Sequence, residues 1–212
     1  TDGAVADTAI SVGWGWGGTH PANIGGNSVR ANRILRCMTT MNDGGGIYNL
    51  GETGTEIAYN YISDSPTQQN NNALYFDQGS AALHVHSNVV EHTHCWLAIA
   101  AGSSRVVVEA NWIDGSGSNV SWCTANLNRC APGAGCNVSR NTIAKASTGD
   151  AAQFPAAARA IQAAAGAHSN VQFKSDDNDA IAPAVQDGRG AEMHCYELDG
   201  DCAACMAASD TS

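Results

Sequence analysis

Short apolar runs, broken by turns rich in Gly and Asn, recur along the first 143 residues. One pattern returns five times: apolar, two variable residues, Asn, one variable residue, apolar. It reads Val29-Arg30-Ala31-Asn32-Arg33-Ile34, Ile57-Ala58-Tyr59-Asn60-Tyr61-Ile62, Val85-His86-Ser87-Asn88-Val89-Val90, Val108-Glu109-Ala110-Asn111-Trp112-Ile113 and Val138-Ser139-Arg140-Asn141-Thr142-Ile143. The asparagines are 28, 28, 23 and 30 residues apart. Gly51, Gly79 and Gly102 each stand nine residues before the next asparagine, at the end of an apolar run. Those runs are Ile47 to Leu50, Leu74 to Gln78 and Trp96 to Ala101. Each reads as a strand of period two. A repeat thus holds two short strands at a fixed offset, joined by turns of variable length.

A unit this short cannot bury its own apolar face, so repeats must stack. Stacking at about 4.8 Å per strand layer places like residues above one another. An asparagine at an inward bend then bonds the asparagine of the next layer, forming a ladder without orphaned amides. The reading is an all-β chain: a single-stranded right-handed parallel β-helix of about five coils. The coils occupy 1–150, a C-terminal capping helix 151–168, and an irregular, disulfide-pinned, Cys-containing tail 169–212. The helix is expected over Ala156 to Ala165, between Phe154-Pro155 and Gly166, where it would cap the last coil.

Composition narrows the function classes. The chain has 212 residues, 10 Lys and Arg against 20 Asp and Glu, and a formal net charge of -10. No basic cluster suits a phosphate backbone, so nucleic acid is not an expected partner. No apolar run is long enough for a membrane helix. The first residues are Thr1-Asp2-Gly3, read as a mature form or a fragment whose open first coil could meet the rest of a longer chain or another subunit. Eight cysteines, Cys37, Cys95, Cys123, Cys130, Cys136, Cys195, Cys202 and Cys205, are disulfide candidates. With sequons at Asn119 and Asn137, they point to a secreted protein.

Asp77 and Asn49 stand in one column of the glycine register, two residues before Gly79 and Gly51. Alternation turns Leu74 and Phe76 inward and Tyr75 and Asp77 outward, with Tyr48 inward. Asp43, opening Asp43-Gly44-Gly45-Gly46, is the second carboxylate of a candidate acid–base pair. On a straight strand Asp43 would lie about 20 Å from the Asp77 column, so the glycines must fold the chain back. Trp14 and Trp16, set between glycines, suit stacking on sugar rings, and Tyr75 and Trp96 extend that platform. His84 and His86 share a strand face, and His92 and His94 follow, but no spacing matches a known ligand set. No metal and no cofactor is therefore assigned.

Four segments carry a resemblance. Ile10-Ser11-Val12-Gly13-Trp14-Gly15-Trp16, Asp43-Gly44-Gly45-Gly46-Ile47-Tyr48-Asn49-Leu50-Gly51, Tyr75-Phe76-Asp77-Gln78-Gly79-Ser80 and the Phe154 to Gly166 helix resemble, in this order, motifs of pectin-lyase-like proteins related to glycoside hydrolase family 141. The resemblance implies a secreted carbohydrate-active enzyme with fucosidase- or xylanase-like activity on a complex polysaccharide. Asp43 and Asp77 would be the catalytic pair, and Trp14, Trp16, Asn49, Tyr75 and Gln78 would bind the substrate. Gln78 replaces a glutamate and Asn49 a threonine of the family pattern. The first departure leaves open a non-catalytic alternative, a glycan-binding or scaffold module of an extracellular assembly.

Overall fold

The structure is a computed structural model that describes residues 6–13, 25–51, 53–65, 71–115, 123, 129–144 and 154–166, with the backbone of 171–172 and 184–185. The chain visits three parallel sheets in turn. The first sheet joins β2 (Ser28–Arg30), β5 (Glu56–Ala58), β8 (His84–His86), β11 (Val107–Glu109) and β13 (Asn137–Ser139) in that order. The second joins β3 (Arg33–Leu35), β6 (Tyr61–Ser63), β9 (Val89–Glu91), β12 (Trp112–Ile113) and β14 (Thr142–Ile143). The third joins β1 (Ile10–Val12), β4 (Gly44–Asn49), β7 (Asn71–Phe76) and β10 (Cys95–Ile99). Every pairing in these sheets is parallel.

A full repeat therefore holds three strands rather than two. The Asn motif is split, because the residue before each ladder asparagine is left-handed. Ala31, Tyr59, Ser87, Ala110 and Arg140 have φ between 52° and 58°. A second left-handed column, Gly26, Gly54, Ala82, Arg105 and Gly135, keeps the same spacings ahead of the first sheet. An L-residue in this region costs about 1–2 kcal/mol. The interlayer bonds at the first corner offset that cost. Asn32, Asn60, Asn88 and Asn111 each donate from Nδ2 to Oδ1 of the asparagine one layer on, at 2.9 Å every time. Asn60, Asn88 and Asn111 are fully buried.

The core is built of stacked aliphatic columns. Val29, Ile57, Val85 and Val108 point in from the first sheet, and Ile34, Ile62, Val90 and Ile113 from the second. Ile47 and Leu74 in the third sheet pack against both. Each fully buried Ile or Leu contributes about 1.5–3 kcal/mol. Ile143 continues the second column but is 51% exposed, being on the outermost described layer.

The helix α1 spans Ala156–Ala164 and Gly166 closes it at φ 70°. It lies along the outside of the second sheet and does not cap the last coil. Ala158, Ile161 and Ala165 are buried with Ala58, Tyr59, Tyr61 and Val89, and Gly166 donates from its backbone to the carbonyl of Ala31 in the first coil. The reason is in the outward column of that sheet. Tyr61, Val89 and Trp112 are apolar where solvent-facing strand residues are usually polar, and the helix covers them. In the tail, β15 (Val171–Gln172) and β16 (Ala184–Val185) form a short antiparallel pair.

Candidate functional site

The outer face of the third sheet gathers most of the chemistry anticipated from the sequence. Strands β4 and β7 pair with Ile47 opposite Leu74, Tyr48 opposite Tyr75 and Asn49 opposite Phe76. This register sets Tyr48 outward beside Tyr75, correcting the inward placement. It also turns Asn49 inward. Asn49 is fully buried, and its Oδ1 accepts a 2.7 Å bond from Ser80 Oγ. Its side chain therefore lies on the inner side of the sheet, away from the outer face that Tyr48 and Tyr75 share. The residue instead holds the turn that presents Asp77, whose backbone N–H donates to the Asn49 carbonyl at 2.8 Å. The glycine register misplaced it because Gly79 follows Gly51 by 28 residues, whereas the strand partners Asn49 and Phe76 are 27 apart.

Asp43 immediately precedes β4 and Asp77 immediately follows β7, so Gly44, Gly45 and Gly46 extend the chain instead of folding it back, and the two backbones lie at opposite ends of paired strands. Two tyrosines span the gap. Tyr48 donates its hydroxyl to Asp77 Oδ2 at 2.7 Å, and Tyr75 donates to Asp43 Oδ1 at 3.3 Å. The rings meet edge to face, with centroids 5.3 Å apart. Glycine makes this possible. A Cβ on Gly45 would stand 3.2 Å from Tyr75 Cβ, and one on Gly44 would stand 2.6 Å from Thr8 Oγ1. Asp43 itself is left-handed, at φ 65°.

The electrostatics fix the proton positions. Burial first, then the Asp77 bond, raises the Tyr48 phenol far above its ordinary value. Burial first, then the charges of Asp77 and Asp43, does the same for Tyr75. Both phenols remain neutral donors, and each orients a carboxylate. The carboxylates are unequally open. Asp43 is exposed, while Asp77 is 7% exposed and also accepts the Gln78 backbone N–H at 2.7 Å. Gln78 is exposed at the rim. Arg129, whose backbone N–H bonds the Ile99 carbonyl at the end of β10, brings a positive charge towards Tyr75. Sequence reasoning missed Arg129, Ser80 and the role of Tyr48, because all three depend on the register between layers.

The remaining candidates separate clearly. Trp96 is buried in the main core and offers no sugar platform. Trp14 and Trp16 lie outside the described residues, as do Asn119, Cys195, Cys202 and Cys205. Asn137 is exposed at the start of β13. Cys95 pairs with Cys123 and Cys130 with Cys136. Cys37 is not a disulfide partner. Its buried thiol lies 2.9 Å from Ser65 Oγ, and burial raises its pKa. The Cys95–Cys123 separation of 28 residues matches the 28-residue repeat spacing, a signal of adjacency that parity alone does not carry. His94, Cys95 and Cys123 bring potential metal ligands within 4.8 Å of one another, but the two sulfurs are bonded together. None of the described helices is long and apolar enough to cross a membrane.

No family model, no curated protein and no solved structure matches this chain.

Proposed function

We propose that this chain is a secreted, carbohydrate-active right-handed parallel β-helix of the pectin-lyase-like kind, and that it hydrolyses a glycosidic bond of a complex polysaccharide. The observation that carries the reading is the outer face where Tyr48 and Tyr75 join Asp77 and Asp43. Neutral phenols, aromatic faces and carboxylates are the groups that bind sugar rings and move protons at a glycosidic oxygen. Asp43, open to solvent and held by Tyr75, is the proton-transferring carboxyl, and Asp77, at the other end of the paired strands, holds Tyr48 on the same face. The two disulfides support an oxidising compartment.

A second reading has its own support. Asp77 is largely buried and both its oxygens already accept hydrogen bonds, which suits a scaffold carboxylate in a glycan-binding module that does not cleave. Screening the chain on fucosylated glycans and xylans, with Asp43→Asn and Asp77→Asn beside it, separates the two. Turnover lost in both variants supports hydrolysis. Glycan binding without turnover supports the module. Turnover equal in all three proteins removes the pair from the mechanism.

A further inference from the structure

We propose that His84 and His86 form a surface chelate for a divalent transition-metal ion of tetragonal preference, Cu2+ foremost. The pair sits on β8, where alternation puts both imidazoles on the outer face of the first sheet. Their ring centroids are 4.4 Å apart. Two imidazoles bound side by side on a tetragonal ion, with metal–nitrogen bonds of about 2.0 Å, set their centroids about 4.5 Å apart.

The neighbouring layers supply the second requirement, orientation of the ligands. His84 Nε2 lies 3.2 Å from Glu109 Oε1, and His86 Nε2 lies 3.1 Å from Glu56 Oε1. Each carboxylate is held from its other oxygen: Arg140 pairs with Glu109 Oε2, and Arg30 at 3.4 Å and Ser28 at 3.3 Å with Glu56 Oε2. A carboxylate accepting from Nε2–H fixes the tautomer that leaves the Nδ1 lone pair free for a metal, the arrangement that orients metal-binding histidines. Nδ1 of His86 lies 3.2 Å from Ser87 Oγ, a hydroxyl that can rotate away. Glu56 and Glu109 come from the layers on either side of β8, so the two histidines are braced from both neighbours. The ligand is absent from the glycosidase reading and independent of it.

The test is titration of the full chain, disulfides intact, with Cu2+ against glycine as competing chelator, read by electron paramagnetic resonance and by thermal unfolding. The expected result is one site with two coupled nitrogens and a raised melting temperature. His84→Gln/His86→Gln abolishes that site, Glu109→Gln weakens it by about 10-fold, and His92→Gln leaves it unchanged. Circular dichroism checks that each variant is folded. The single variant His84→Gln, at a half-exposed side chain, keeps the test open should the double variant fail to fold. Affinity of the folded double variant, or of His84→Gln in its place, within about twofold of wild type, well short of the tenfold step, overturns the proposal. So does loss of the site in His92→Gln.

Discussion

Replacing Asn88 with alanine tests the ladder at its centre. Asn88 is fully buried and its side chain makes five bonds. Nδ2 donates to the carbonyls of Ile57 and His86 and to Asn111 Oδ1, while Oδ1 accepts from the backbone and side-chain nitrogens of Asn60. Alanine leaves the Asn60 backbone N–H without its partner in a site closed to water, while the Ile57 carbonyl keeps its place in the β5–β8 ladder. Asn60 Nδ2 still reaches the Val29 carbonyl, and Asn111 Oδ1 still receives the Asn88 backbone N–H. One orphaned N–H at about 1–3 kcal/mol, with about 1 kcal/mol for the interlayer amide bond lost beside it, gives a loss of about 2–4 kcal/mol. At the end of the ladder Asn32 is only partly buried, and its side chain makes bonds to Asn60 Oδ1 and the Arg30 carbonyl. Asn32→Ala should cost about 1 kcal/mol. Urea unfolding followed by circular dichroism measures both. Equal, small losses at the two positions would refute the claim that these amides hold the layers in register.

Gly25 and Gly26 form an internal comparison: a Cβ on Gly25 would stand 2.0 Å from the Thr53 carbonyl oxygen, whereas one on Gly26 meets nothing within 4 Å but sits at φ 76°. Gly26→Ala should cost about 1–2 kcal/mol and Gly25→Ala clearly more, and thermal melts showing the reverse order contradict the packing. Removing Cys95–Cys123, with a separation of 28, should cost about 3.6 kcal/mol by loop entropy against about 2.2 for Cys130–Cys136, with a separation of 6; paired Cys→Ala variants in urea decide the order. Stability should fall on acidification. Burial lowers the His86 pKa from 6.5, and Glu56 lies below 4.5 because the His86 bond and Arg30 outweigh its burial. Both folded values lie below the unfolded ones, so the stabilisation is full above the unfolded values and is lost as pH falls through the folded ones. His86→Gln should flatten the upper part of this slope. A wild-type urea midpoint that is constant between about pH 7 and pH 5, across the ordinary histidine range, would contradict it.

The sequence by itself determined the stack. Asn32, Asn60, Asn88, Asn111 and Asn141 align because a buried amide needs partners for its donor and its acceptor, the amide of the next layer supplies them, and that demand repeats in the sequence at the length of one layer. The helix bounds were legible too, since Pro155 and Gly166 act locally. What the tertiary structure decided depends on register between layers. The step of 27 from Asn49 to Phe76, against 28 at Asn32 and Asn60, turned Tyr48 outward and Asn49 inward, and so built a tyrosine-bridged face in place of an asparagine–aspartate column. The turns absorb that single residue, and turn length leaves no periodic mark. The helix took the side of the second sheet for a similar reason: Tyr61, Val89 and Trp112 become one apolar surface only after their strands are stacked.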